Sequence, residues 1–392
     1  MEFEFLHLPR VIFGTGQFQR IGILVKEFGS RVLIVASKSA LEKTSSKQIL
    51  EDVLSEQGID VAYFTVKNEP EIELIDQGVV FGQEFGAEVV IGIGGGSAVD
   101  AGKAIASLFT NGGSARDYME VIGKGLAITR PSLPYIAIPT TAGTGSEVTK
   151  NAVISAKDEG FKASIRSSYL IPAITMVDPG LMTTVPPEIT ASCGLDALTQ
   201  LIESYTSINA QPITDCLAEL GIKAVANSIR TAYTTGTDIS ARESMALAAL
   251  LSGICLANAG LGAVHGFASP LGARYQVAHG SICAALLAPV VESNILELKK
   301  EPPVHPTLEK YARLGELLTG KTFSNDDAAR NAAMEYLYEL TTYLKIPKLS
   351  NIGIVPEDFV EIIKKAKKAS SMKYNPIKLS TRALQDVLER AL

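Results

Sequence analysis

Tryptophan is absent from this 392-residue chain, aromatic residues make up only 6% of it, and histidine and cysteine occur four times each. The cysteines, Cys193, Cys216, Cys255 and Cys283, are widely spaced inside apolar runs, with no CxxC pair to serve as a redox or metal motif. They read as reduced core residues. No excess of basic residues exists either: 36 Lys and Arg stand against 42 Asp and Glu, a net charge of −6. Nothing in that balance suggests a nucleic-acid stripe or a patch for anionic membranes, and small molecules become the expected partners. The opening "MEFEFLHLPR" has acids where a secretion signal has basic residues, and no uninterrupted apolar run reaches membrane-spanning length. A cytoplasmic protein is expected. Internal repeats and low-complexity segments are also lacking.

What is present suits a folded protein with more than one core. Hydrophobic residues are 46% and charged residues 20% of the chain, and the length exceeds the size at which a single core keeps growing. Short β-branched runs mark the first half: "RVLIVAS" (31–37), "DVAYFTV" (60–66), "EVVIGIGGGS" (88–97), "PYIAIPTT" (134–141) and "AITMVDP" (173–179). Between them lie amphipathic segments such as 39–58 and 72–86. This alternation predicts an α/β N-terminal domain, residues 1–185, with a Rossmann-like parallel sheet. Long segments rich in Ala and Leu follow, as at 215–233, 241–260 and 326–345, and predict an all-α C-terminal domain, residues 186–392. Pro186, Pro187 and Glu188 suit the helix start at the boundary.

Two glycine-rich elements could carry chemistry. In "EVVIGIGGGSAVDAGKAIA" an apolar strand runs into Gly94, Gly95, Gly96 and Ser97, and then into a helix bearing Asp100. Such a turn lets backbone N–H groups approach a diphosphate at a helix N-terminus, although it also suits a plain tight turn. "PTTAGTGSEVTKN" sets Thr140, Thr141, Thr144 and Ser146 around two glycines directly after a strand, a suitable lining for a nucleotide or a Thr-rich surface loop. In the second half, helical spacing puts Asp196, Gln200 and Glu203 on one face. His265 and His279 lie downstream in glycine-flanked settings. One carboxylate and two imidazoles could hold a divalent metal; buried structural histidines are the alternative. His7 and His305 read as structural.

The strings "GGGSAVDAGKAIA", "PTTAGTGSEVT", "DALTQLIE" and "VHGFASPLGARYQVAHG", in this order and at these separations, resemble the iron-containing (group III) alcohol dehydrogenase family, whose architecture is shared with dehydroquinate synthases. The resemblance implies an NAD(P)-dependent oxidoreductase that interconverts a primary alcohol or hydroxy acid with its aldehyde or keto form. It implies a homo-oligomer, with the active site in the cleft between the domains. Gly94, Gly95, Gly96, Ser97 and Asp100 would hold the cofactor pyrophosphate, and Thr140, Thr141, Thr144, Ser146, Asn151 and Lys162 would line the rest of its path. Asp196, His265 and His279 would act in catalysis and bind Fe²⁺ or Zn²⁺.

Three departures accompany the resemblance. The family writes its metal helix D-A-x-x-H-x-x-E, and here Gln200 takes the histidine position. It is expected as a ligand through its amide oxygen, with reduced metal affinity. Ser269 replaces a histidine that many members carry for proton delivery. Ser37, Lys38 and Ser39 stand where NAD-dependent members carry an aspartate against the ribose, so NADP(H) should be accepted. A metal-free reductase similar to maleylacetate reductases is the competing reading. There, His265 or His279 would donate a proton and Arg274 would bind an acidic substrate.

Overall fold

The β-branched runs of the first half are apolar at nearly every position, the pattern of strands covered on both faces. In the computed structural model, which describes residues 2–42, 46–67, 69–157, 161–275 and 277–392, the chain forms two units. One comprises residues 7–185 and 237–246. Its strands are β1 (Arg10–Phe13), β2 (Arg31–Ser37), β3 (Asp60–Val66), β4 (Val89–Gly94), β5 (Tyr135–Pro139), β6 (Asn151–Ala156), β7 (Phe161–Arg166) and β8 (Ile174–Val177). Six of them make a parallel sheet in the order β1-β8-β5-β4-β2-β3, while β6 and β7 pair as an antiparallel hairpin. The helices are α1 (Ile21–Lys26), α2 (Lys38–Glu42), α3 (Ser46–Ser55), α4 (Ile72–Phe85), α5 (Gly96–Asn111) and α6 (Ala115–Tyr118).

Alternation along each strand divides its side chains between two cores. Leu33, Val35 and Val90 pack with Ile75, Val79 and Ile105 on one face, and Val32, Ile34 and Ile91 pack with Ile21, Leu24 and Leu50 on the other. The strand order matters for function. From β2 the chain goes outward to β3 and returns to place β4 on the opposite side of β2. Winding therefore reverses between β2 and β4, and such a switch point opens a crevice at the carboxyl ends of the strands.

The second unit contains residues 1–6, 186–236 and 247–392. It is helical: α7 (Pro187–Thr206), α8 (Pro212–Thr234), α9 (Ile239–Ala259, belonging here from Leu247), α10 (Ala263–Tyr275), α11 (His279–Leu298), α12 (Thr307–Thr319), α13 (Asp326–Tyr343), α14 (Phe359–Ala366) and α15 (Thr381–Ala391). Pro186 precedes α7, Pro187 occupies its first position and Glu188 its first turn, all three suited to a helix start. One core of this unit joins Phe267 and Leu271 of α10, Ile282 and Leu286 of α11, and Leu384 and Leu388 of α15. By length and apolarity α9 and α11 would qualify as membrane spans, but they are 67% and 72% buried inside the fold.

Several details differ from the sequence reading. The helix expected over 39–58 is two helices, α2 and α3, with residues 43–45 outside the described residues. The short edge strand β1 and the β6–β7 hairpin were not anticipated. All four cysteines are free, yet Cys216 is exposed and Cys193 half-buried, so only Cys255 and Cys283 are buried as expected.

Candidate active site

At the switch point the sequence dictates a bare backbone. Gly94 ends β4 at φ +148°, where a Cβ would lie 2.7 Å from Ser37 Oγ and 2.8 Å from Ala98 Cβ. Glycine is therefore required. Gly95 caps α5, and no side chain caps this helix; its first N–H groups and the positive end of its dipole are available to an anion. A Cβ on Gly96 would lie 2.9 Å from Thr144 Oγ1, and one on Gly95 3.5 Å from Thr141 Oγ1. Thr140 N–H donates to the Gly94 carbonyl at 2.8 Å. Ser37 at the end of β2, the three glycines at the end of β4 and the threonine loop after β5 thus share the carboxyl edge of the sheet. Lys38 and Ser39, which follow Ser37 and begin α2, carry no acid; Lys38 is exposed and reaches Glu42 at the end of that helix at 3.8 Å.

Asp100 sits just beneath this edge, buried, and its oxygens are engaged within the chain. It accepts from Ser146 Oγ and from Val153 N–H at 3.0 Å, with Lys103 Nζ at 3.3 Å. Lys103, which the sequence reading passed over, is fully buried and donates to the carbonyls of Ser146 (2.7 Å) and Asn151 (2.5 Å) and to Thr149 Oγ1 (3.0 Å). Burial lowers its ammonium pKa, against the pull of Asp100. Nearby Glu147 is pushed up to about 7 by burial. The network ties the threonine loop and the start of β6 to α5. Lys162 pairs with Glu69 at 3.2 Å and lies opposite Ser155 in the hairpin, at the far end from Asn151.

In the helical unit, α7 is buried along most of its length, so each of its polar side chains needs a partner. Thr199 and Thr206 donate to carbonyls one turn back, and Ser204 donates to Gly260 O. Asp196 Oδ1 is different. Among the described residues it is the only buried carboxylate oxygen without a hydrogen-bond partner. It lies 3.5 Å from His265 Nε2 and 3.8 Å from His279 Nε2. The close approach of α11 depends on Gly280, whose Cβ would lie 2.4 Å from Ser192 O of α7.

Two further residues complete this cluster, neither assigned a role from sequence. Glu203 Oε2 lies 2.6 Å from His265 Nδ1, and its Oε1 accepts from Val264 N–H at 2.6 Å. This fixes the imidazole with Nε2 directed into the cluster. Cys283 stands one turn after His279, with Sγ 3.5 Å from His279 Nε2 and 3.8 Å from His265 Nε2. Its ligand atom and those of Asp196, His265 and His279 all lie within 4.8 Å of one another.

The electrostatics favour positive charge at the centre. Burial alone would lower the pKa of His265, but Cys283, Asp196 and Glu203 outweigh it and hold the imidazole well above its ordinary value. Cys283 first and Asp196 second raise His279 to about 9, although 43% of its side chain is exposed and solvent screens part of the effect. Asp196 stays below the usual carboxylate value despite its burial, because His279 and His265 stabilise its charge. An open carboxylate, two imidazoles directed by their nitrogens and a thiol form a donor set that fits a divalent transition metal.

Gln200, expected as a ligand, is buried one turn after Asp196. Its Oε1 accepts from Ser252 Oγ at 2.8 Å, and its Nε2 lies 3.4 Å from Asp196 Oδ2. Ser269 is exposed, one turn after His265. Arg274 pairs with Asp358 and Glu361 and lies over the Tyr275 ring; it is committed to a surface ion cluster.

Known proteins match both halves of the chain. Residues 9–179 match the family described as iron-containing alcohol dehydrogenase, and residues 190–392 match the Fe-containing alcohol dehydrogenase family, C-terminal. Choline dehydrogenase of Bacillus subtilis (strain 168) is 34% identical, across 99% of this chain and 95% of its own. Among solved structures, a 1,3-propanediol oxidoreductase superposes with a TM-score of 0.92 at 31% identity, covering 100% of both chains. Sulfoacetaldehyde reductase from Bifidobacterium kashiwanohense, in complex with NAD⁺, gives 0.87 at 26% identity, with 100% and 99% covered. With both family segments matched and a relative aligned along nearly its whole length, the chain belongs to the iron-containing alcohol dehydrogenase family and is an oxidoreductase.

Proposed function

We propose that this enzyme interconverts a small primary alcohol, or a hydroxy acid, with its aldehyde or keto form, using NAD(P) as hydride carrier and a divalent metal held by Asp196, His265 and His279. The observation that carries the reading is the buried, unpartnered Asp196 Oδ1 facing two imidazole nitrogens at 3.5 and 3.8 Å. A bound metal supplies Lewis acidity toward the substrate oxygen. Glu203 holds His265 in the tautomer that leaves Nε2 free for the metal. The uncapped start of α5 and the glycines before it receive the cofactor diphosphate, with Ser37 and the threonine loop beside them. Without an acid at Ser37, Lys38 and Ser39, nothing there repels a 2′-phosphate, which supports use of NADP(H) as well as NAD(H).

Arg274 gives no support to the metal-free alternative, since its charge is already met by two carboxylates. Self-association is supported by edge strand β1, where Val11 and Phe13 are exposed. Four free cysteines support a reducing, cytoplasmic setting.

The test is reduction of short aldehydes by NADPH and NADH, before and after chelation. Turnover that chelator abolishes and Zn²⁺ or Fe²⁺ restores is expected. Chelator-insensitive reduction of an oxo acid would replace this reading with the metal-free one.

A further inference from the structure

We infer that the metal's fourth protein ligand is Cys283, and that Gln200 supports the site without binding the ion. This rests on the metal-dependent reading above and concerns which residue supplies a fourth ligand now that Gln200 holds the histidine position of the metal helix. Four distances link the donor atoms: Asp196 Oδ1 to His265 Nε2 (3.5 Å) and to His279 Nε2 (3.8 Å), and Cys283 Sγ to His265 Nε2 (3.8 Å) and to His279 Nε2 (3.5 Å). A tetrahedral ion with nitrogen, oxygen and sulfur ligands at their usual bond lengths has donor-to-donor edges of about 3.3–3.6 Å. These four separations are slightly wider than the edges of a zinc site, and the remaining two pairs lie within 4.8 Å.

Gln200 has other commitments. Its carbonyl oxygen, the only atom of the amide able to bind a cation, accepts from Ser252 Oγ, and its amide nitrogen faces Asp196 Oδ2. Since the carboxylate can only accept, turning the amide over would set two acceptors against each other. Gln200 therefore orients the ligand carboxylate. His279 and Cys283 are successive on one face of α11, the spacing at which two side chains reach one ion.

A thiolate changes which metal the site prefers. Sulfur is a soft donor that favours zinc over iron(II) at an Asp-His-His-Cys centre. Cys283 loses its proton on binding and brings a second negative charge beside that of Asp196.

The test uses full-length protein loaded with Zn²⁺ or Co²⁺, and its readouts are spectral and stoichiometric. Co²⁺-loaded wild type should show near-ultraviolet thiolate-to-cobalt charge-transfer absorption, and Cys283→Ser should lose it. By competition with a chromogenic chelator, Cys283→Ala should weaken Zn²⁺ binding by more than about a hundredfold, and Gln200→Ala by less, about 10–100-fold at most. Cobalt bound at one ion per chain without that absorption, with unchanged Zn²⁺ affinity in Cys283→Ala, would overturn the assignment of Cys283 and leave the metal enzyme standing. Failure of wild type to bind either ion more tightly than His265→Ala would instead overturn the metal-dependent reading itself.

Discussion

Glu203 completes the cluster from behind His265 and decides how that imidazole presents itself. Its carboxylate is shared between the His265 ring and the Val264 N–H. Glu203→Gln should weaken metal binding by about 10–100-fold with little change in fold, read by chelator competition alongside circular dichroism. The glycine turn offers a second contrast. Gly95→Ala puts a methyl in ordinary contact with Thr141, so melting temperature should hold while NAD(P)H affinity, read by fluorescence titration, falls about tenfold or more. In Gly94→Ala the left-handed backbone and the Ser37 contact should destabilise the fold itself by about 1–3 kcal/mol. Sequence made the glycines, Asp196 and both histidines legible because their chemistry shows in local strings. It hid Cys283, a residue type at home in apolar cores, although His279 and Cys283 stand at helical spacing. Lys103 was hidden too, since nothing local tells a buried lysine from a solvated one.

At the scale of elements, close approach does the positioning. Gly280→Ala would press a methyl into Ser192 O and move α11 off α7, so about 1–3 kcal/mol of stability and most of the metal affinity should be lost together. The buried network under the threonine loop makes a pH prediction. Glu147 titrates near 4.5 when unfolded and is raised to about 7 in the fold by burial, so over that interval the folded chain binds the extra proton. Stability from this group falls as pH rises from about 4.5 to about 7 and is level above it. Urea unfolding of wild type and Glu147→Gln at about pH 5 and about pH 8 should show the wild type losing on the order of 1–3 kcal/mol relative to the variant. Lys103→Met should cost about 3–5 kcal/mol, because it strands Asp100 and three oxygen acceptors. The central strands were readable because burial on both faces makes them continuously apolar; β1 has one buried residue in four, too little pattern to stand out, and β6 alternates in a way that its Ser and Ala weaken.

The molecule as a whole is less simply divided than a cut at residue 185 suggests. The helical unit includes Met1–Leu6, and the α/β unit includes Thr237–Ala246. Leu6 N–H donates to Asn258 Oδ1 at 2.6 Å, and Gln211 Nε2 to Glu4 O at 3.4 Å. A fragment of residues 186–392 alone should therefore melt lower and less cooperatively than the same fragment supplied with the first six residues, as differential scanning calorimetry would read. The same interlacing imposes a timetable on synthesis. When Val185 leaves the ribosome, the α/β unit still lacks Thr237–Ala246, which emerge about 60 residues and, at ordinary translation speed, roughly 3–12 seconds later. During that interval the α/β unit lacks the residues that begin α9, while α7 and α8 of the helical unit are already being made.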